Sequence, residues 1–208
     1  MEPWILQPDW RARLTLIFLV ACFYSGVVLI NNELLFFWAK DASYRYWFYP
    51  PAGVRLALVL LLGWPGLVGY FIAALAIASS DLMPEIGGFN HGLLVALGRA
   101  LSLWFAISAY GWFTGIKTPW RGLTWQHVPF LALFVIVVGS IVAHLIKAFI
   151  GVETLDAFAR NVALNVLGDT LGSIVVLLII IWLRRAYREW ERDRNIPESP
   201  VSASSTKN

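Results

Sequence analysis

Four ionisable side chains lie within otherwise apolar stretches of this 208-residue chain: Arg55, Arg99, Lys147 and Asp169. On the scale of membrane insertion, a charged residue at the centre of a spanning helix costs about 2.5–3.5 kcal/mol. We therefore expect each of the four to face protein or water rather than lipid. The sequence also predicts that the single acid, Asp169, forms an ion pair with one of the cations.

Helical spacing indicates which cation that is. Arg99 follows Asn90 by nine residues, and Asp169 follows Arg160 by nine residues, where Asn90 and Arg160 mark the outer ends of two apolar segments. At a rise of 1.5 Å per residue both charges lie roughly 13 Å below the same surface. The sequence thus predicts an Arg99–Asp169 ion pair. Two other cations, Arg55 and Lys147, fall near outer helix ends, where either could extend its charge to the surface.

Two helix faces carry the remaining polar groups. One has Asn161, Asn165 and Asp169 at positions i, i+4 and i+8. The other has Ser140, His144 and Lys147 at positions i, i+4 and i+7. Together these faces predict one polar cavity that opens to the outside, with the following candidate ligand-binding residues: Arg55, Arg99, His144, Lys147, Asn165 and Asp169. Its excess of positive charge favours a small anionic or carboxylate-bearing ligand.

A purely structural interpretation of the same residues stays open. The predicted ion pair could only fasten two helices, and His144 could be a packing or hydrogen-bonding residue. Three scattered histidines give no metal-ligand spacing, so we predict no metal site and no cofactor. The sequence shows no nucleophile motif, phosphate-binding loop or dinucleotide fingerprint, so we predict no catalytic residue and no enzyme activity.

Composition predicts an all-α, polytopic membrane bundle. The chain is 59% hydrophobic and 14% charged, whereas a soluble domain is about 45–50% apolar and about 25% charged. Apolar segments of spanning length, or somewhat shorter, predict about six transmembrane helices. Their predicted ranges are Leu14–Ile30, Pro51–Gly63, a third segment that follows Trp64-Pro65-Gly66 and runs to about Ser79, Gly92–Phe113, Val128–Ile150 and Phe158–Leu183. The second and third are short, so the sequence leaves open whether they cross the membrane fully.

Lys and Arg residues set the expected orientation. With both termini inside, the inner segments hold ten of these residues and the outer loops hold three, in agreement with the rule that positive charge stays inside. The net charge of +3 therefore indicates a basic cytoplasmic face rather than nucleic-acid binding. We predict two regions, a membrane domain over residues 1–183 and a basic cytoplasmic extension with a disordered tail over residues 184–208. The extension would lie near membrane lipid headgroups.

Two stretches resemble a known family. Pro50-Pro51-Ala52-Gly53 precedes a short apolar helix and a Gly63-Trp64-Pro65-Gly66 turn, and Gly168-Asp169-Thr170-Leu171-Gly172 lies in the last apolar helix. In this order they resemble the first membrane-associated sensor family, a membrane-embedded sensory input domain of bacterial signalling proteins. The resemblance implies location in the bacterial inner membrane. It also implies a stand-alone sensor that signals through a separate partner at the Arg184–Arg194 segment, because no output domain follows that segment here.

Two alternatives from other classes stay open. Substrate-binding subunits of energy-coupling-factor vitamin transporters also have about six helices and about 200 residues, and Ala74–Ala78 offers a weak version of their small-residue motif. The third hypothesis is a structural membrane subunit that binds no ligand and whose charges only pack helices. The Gly168–Gly172 pair could serve contacts within the chain or between chains.

Overall fold

The computed structural model of the protein describes residues 9–35, 47–80, 88–116 and 126–194. The predicted disordered tail lies outside these described residues. Within them, six α-helices form the fold: α1 Trp10–Ile30, α2 Pro50–Leu62, α3 Trp64–Ala78, α4 Phe89–Thr114, α5 His127–Phe149 and α6 Leu155–Arg194. A π-helical turn, Asn31–Leu35, continues α1. The predicted all-α membrane bundle is therefore confirmed.

The helices fall into two length classes. Four are long and apolar enough to cross a membrane, namely α1 with its π-helical turn, α4, α5 and α6. The other two are short apolar helices, α2 with 13 residues and α3 with 15. The last helix has 40 residues and continues without a break through the basic segment that the sequence predicts as an extension. At 1.5 Å per residue, α6 is about 60 Å long.

Local sequence explains where α1, α2 and α3 begin and end. The Asp9 side chain caps α1 by accepting a hydrogen bond from the backbone N–H of Arg11 at 3.1 Å. Pro50 and Pro51 occupy the first turn of α2, where a missing N–H costs nothing. Gly63 has φ of +65°, a conformation that other residues rarely adopt, and this single residue reverses the chain between α2 and α3.

Packing places α2 against α6 and α4 between α3 and α5, while α1 lies mainly on α3. The buried core between them includes Tyr70, Leu56, Ile107, Leu131 and Ile136. Large apolar side chains also cover the outside of the bundle, among them Phe18, Phe105, Phe130 and Leu145. Such a surface requires lipid around it, because monomeric soluble proteins rarely expose large contiguous apolar patches.

A close backbone approach joins the two motifs that carry the family resemblance. A Cβ atom on Gly172 of α6 would lie 2.3 Å from the carbonyl of Tyr49, and one on Gly53 of α2 would lie 2.7 Å from the Cα atom of Ser173. The backbone N–H of Tyr49 donates to the carbonyl oxygen of Gly168 at 3.0 Å. The glycine pair of α6 therefore serves a contact within the chain.

This contact also fixes the position at which α2 begins along the axis of α6. Gly168 lies 13 residues after Leu155, the first residue of α6, which is about 20 Å along the helix axis. Because Tyr49 is bonded to Gly168, α2 begins at that level and not at the N-terminal end of α6. With its 13 residues, α2 covers only the part of the bundle that lies towards the C-terminal half of α6. The first turn of α2 is thus placed in the interior.

We predict that Gly172→Ala lowers the free energy of unfolding by about 1–3 kcal/mol, because the added methyl group meets the Tyr49 backbone. The matched control is Gly26→Ala in α1, where an added Cβ meets nothing within 4 Å. Gly26→Ala should stabilise the protein slightly, because alanine has a higher helix propensity than glycine in the interior of a helix. Tryptophan fluorescence during unfolding in mixed micelles measures both. Equal effects of the two substitutions would contradict the close contact.

Candidate ligand site

An ion pair between α2 and α6 lies at the centre of the bundle. The guanidinium Nη2 of Arg55 donates to the Oδ2 atom of Asp169 at 2.7 Å. The Asp169 side chain is 5% exposed and the Arg55 side chain is 14% exposed. The Arg55 guanidinium is therefore paired inside the bundle, and the side chain does not extend to the surface. At this burial, removal of one partner would leave the other charge without compensation.

The predicted Arg99–Asp169 ion pair is wrong. Equal depth was a sound expectation for both residues, but depth does not say which helices are neighbours. In the structure α6 packs on α2 and α5, whereas α4, which carries Arg99, packs on α3 and α5. The glycine contact brings the first turn of α2 onto α6 one turn from Asp169, so Arg55 reaches the carboxylate first.

Three tyrosines and Arg99 surround this ion pair. The rings of Tyr24 on α1 and Tyr70 on α3 meet edge to face with centroids 5.1 Å apart, and both side chains are almost fully buried. Tyr24 interacts electrostatically with Arg55, Arg99 and Tyr49, the residue before α2. Four helices and the segment that leads into α2 thus supply the polar centre, and a fifth helix, α6, supplies Asp169.

Arg99 differs from Arg55 in its partners. It interacts electrostatically with Asp169 and Tyr49. Among the described residues, however, no carboxylate lies within ion-pair distance of its guanidinium. Its side chain is partly buried. Among the residues that the structure describes, the polar centre therefore holds two positive charges, on Arg55 and Arg99, and one negative charge, on Asp169, and the positive charge in excess belongs to Arg99.

A second polar group joins α5 and α6 nearer the turn between them. The Nδ1 atom of His144 lies 2.6 Å from Oε2 of Glu153, and the Nδ2 atom of Asn161 donates to Oε1 of the same carboxylate. Farther along the two helices, the Nδ2 atom of Asn165 donates to Oγ of Ser140 at 3.0 Å. The two predicted polar faces do meet, and hydrogen bonds connect them.

The structure brings together most of the predicted site residues in these two groups. Arg55, Asp169 and Arg99 belong to the polar centre, while His144 and Asn165 belong to the α5–α6 contact. Lys147 lies in the last turn of α5, partly buried, and its charge acts on His144. Its backbone carbonyl oxygen accepts hydrogen bonds from the N–H groups of the α5–α6 turn.

Several participating residues escaped the sequence analysis. Glu153 lies between two apolar segments, and nothing in such a loop sequence indicates that its side chain turns back into the bundle. Tyr24 and Tyr70 look like ordinary members of apolar helices. Asn31 and Asn32 gave a signal that could have been used, because two adjacent amides follow an apolar segment directly. Both are buried, and among the described residues the Oδ1 atom of Asn31 has no hydrogen-bond partner.

These features define an integral membrane bundle of α-helices with a charged, largely buried polar centre. The MASE1 family model matches residues 14–207, and the chain belongs to this family of membrane-associated sensory domains. The predicted family is therefore confirmed, and the match includes both the short α2–α3 hairpin and the basic end of α6. No curated protein and no solved structure matches the chain.

We predict that Arg55→Met and Asp169→Asn each lower the free energy of unfolding by about 3–5 kcal/mol, because each leaves a buried charge unpaired or unbalanced. The double variant should be much less destabilised than the sum of the two, which unfolding in mixed micelles measures. Arg99→Met combined with Asp169→Asn is the matched cycle and should show the smaller coupling. A larger coupling for Arg99 would contradict the observed pairing.

Proposed function

We propose that this membrane sensory domain binds a small anion beside Arg99 and passes the binding event along α6 to a partner at the Arg184–Arg194 segment. Family membership supports a sensory role, and the polar centre supports the class of ligand. The single observation that carries the proposal is the positive charge of Arg99, which has no carboxylate at ion-pair distance among the described residues.

The charge balance favours an anion over other ligands. A partly buried guanidinium is costly in a membrane unless something balances it. Asp169 is already committed to Arg55 at 2.7 Å, so it only partly compensates the second cation. A carboxylate or phosphate between Arg99 and the tyrosine hydroxyls would bring the charges to balance. Arginine is well suited to this task because its planar fork donates two parallel hydrogen bonds.

Several features on the outer side of the polar centre support the entry of a ligand from that side. The first turn of α2 begins about 20 Å below the start of α6, so the short helix does not fill the outer part of the bundle. Asn31 and Asn32, which lie about two turns beyond Tyr24 on α1, place buried amides above the centre. A π-helical turn at this point fits a functional position, because such turns are frequent at binding sites.

The last helix connects the site with the cytoplasm in this proposal. Asp169 and Arg194 lie on the same uninterrupted helix, so a shift of α6 at the ion pair moves its far end as well. The segment from residue 182 to 192 is exposed, and large parts of its apolar side chains Trp182, Tyr187 and Trp190 lie at the surface. We place this end on the cytoplasmic side of a bacterial inner membrane, because arginines are enriched in the cytoplasmic segments of membrane proteins.

The alternatives from the sequence have less support. No specific observation favours a vitamin-transporter subunit, whereas the family match favours a sensory domain. A structural subunit without a ligand would explain the paired charges of Arg55 and Asp169. It does not explain why a second arginine is kept beside a pair that is already complete.

We predict that a fitting anion raises the midpoint of thermal unfolding of the purified protein, because a ligand that binds only the folded state stabilises it by about 2.7 kcal/mol at one hundred times its dissociation constant. The probes are inorganic phosphate, acetate, succinate and citrate at constant ionic strength, with chloride as the reference. Arg99→Gln should abolish the shift.

The matched control for this experiment is Arg160→Gln, which removes an exposed arginine near the start of α6. It should leave the anion-dependent shift unchanged. If Arg99→Gln and Arg160→Gln respond to the anions as the unmodified protein does, the charge of Arg99 is not a binding determinant. If none of the four anions shifts the unfolding midpoint of the unmodified protein, the proposal that the site binds a small carboxylate or phosphate is wrong.

We further predict that Ala186→Pro uncouples the site from the end of α6, because proline breaks a helix at the cost of about 3 kcal/mol. In the unmodified protein, an anion that binds should change the backbone hydrogen exchange of residues 187–194. In Ala186→Pro the anion should still bind without that change. Ala186→Leu, which preserves the helix, is the control. An unchanged exchange response in the proline variant would contradict transmission through α6.

A further inference from the structure

The last part of α6 separates its apolar and charged side chains around the helix. Leu183, Tyr187 and Trp190, with the small Ala186 between them, fall within an arc of roughly 100° at 3.6 residues per turn. We call these four residues the apolar stripe of α6. The rest of the circumference holds the charged residues of the segment up to position 192, namely Arg184, Arg185, Arg188, Glu189, Glu191 and Arg192.

The apolar stripe is open to its surroundings over most of its area. Leu183, Tyr187 and Trp190 are 53%, 60% and 53% exposed. The rings of Tyr187 and Trp190 lie against each other with centroids 5.9 Å apart, so they form one continuous apolar surface. An exposed apolar surface that is rimmed by charged residues is typical of a contact with another protein or with a membrane.

The direction of α6 argues against lipid as the cover of the apolar stripe. Arg160 and Arg184 lie roughly 36 Å apart along the helix axis, which is enough to cross the apolar core of a membrane, about 30 Å thick. The helix continues without a break from Arg184 to Arg194. The stripe therefore follows the axis away from the bilayer, and it cannot lie flat on the headgroups as the apolar face of a surface helix does.

We propose that the apolar stripe is covered by the same stripe of a second copy of this chain, in a short parallel coiled coil. Two copies inserted in one membrane present the stripe at the same height and in the same direction, so a two-fold contact pairs each residue with its own counterpart. Leu183 and Trp190 then occupy position a of the heptad, and Ala186 occupies position d. This pairing does not depend on an anionic ligand.

Charge complementarity supports this parallel register. In a parallel coiled coil, position g of one helix faces position e of the following heptad on the other helix. With Leu183 at position a, these two positions are residues 189 and 194, which are Glu and Arg in the sequence. The two-fold contact contains this pair of positions twice. Each copy therefore offers an acid where its counterpart offers a base.

The short length of the contact is compatible with pairing in a membrane. Both copies are confined to one plane and one orientation, so they lose less freedom on association than two soluble helices would. The small Ala186 between two large residues also allows the helix axes to approach each other. Arg184, Arg188 and Arg192 lie on the outer positions b, f and c, so a separate partner at this segment would meet the charged faces of two helices.

Disulfide formation in membrane vesicles that hold the full chain tests the proposal. In a Cys22→Ser background, which removes the only natural cysteine, Ala186→Cys places a thiol in the contact. Arg188→Cys places one on the opposite side of the helix. With a mild oxidant and no added anions, we expect roughly tenfold more disulfide-linked dimer for Ala186→Cys, because a disulfide requires Cβ atoms about 3.5–4.5 Å apart.

Three outcomes of this experiment would overturn the proposal. Equal yields of dimer for the two cysteine variants would indicate random collisions. A yield near zero for Ala186→Cys would show that no second copy covers the apolar stripe. A disulfide between Ala186→Cys and a different protein, in place of the dimer, would assign the stripe to that protein.

An exchange of charges tests the register in the same Ala186→Cys variant. Glu189→Arg and Arg194→Glu should each lower the yield of dimer several-fold, because each places like charges at facing positions. The double variant should restore the yield, although Glu189 also binds Arg185 within its own helix. Glu191→Arg makes the same change of charge at outer position b and should leave the yield unchanged. A double variant that dimerises no better than the single ones would contradict the parallel pairing.

Discussion

The contact between the first turn of α2 and the middle of α6 determines the interior of this protein. Two glycines let the backbones meet at distances that a methyl group would block. A charged pair, Arg55 and Asp169, closes the same contact at 2.7 Å. Neither feature is sufficient alone. Without the glycines the carboxylate and the guanidinium could not approach each other so closely, and without the charges a helix of 13 residues would have little to hold its start inside the bundle.

The sequence predicted the helices well because apolar length and the turn residues Gly63 and Pro65 act locally. All six helices were found, with ends within a few residues of those observed, except for α6, which continues to Arg194. The helix pairing was not predictable in the same way. The partner of Asp169 depends on which helices are neighbours, and that arrangement follows from the close packing of Gly53 and Gly172. These glycines were noticed as a motif, but their partner could not be inferred from spacing alone.

The residues missed by the sequence analysis share one physical property. Glu153, Tyr24 and Tyr70 act through tertiary contacts that have no helical period. A glutamate two residues after the glycine of a turn normally points to water, and here the two hydrogen bonds to the Lys147 carbonyl turn it inwards. The buried tyrosines look like core residues because most of their surface is core. Only their position beside Arg55 and Arg99 makes their hydroxyl groups part of a polar centre.

The two polar groups lie on the same helix, and this arrangement has consequences for signalling. From its first residues to its end, α6 carries Asn161, Asp169 and the exposed arginines in one uninterrupted element. A rigid helix transmits a displacement at little cost, whereas a flexible loop would absorb it. In the proposed function, an anion at Arg99 would therefore act on the far end of α6 through the same helix that carries the Asn161 and Asp169 contacts.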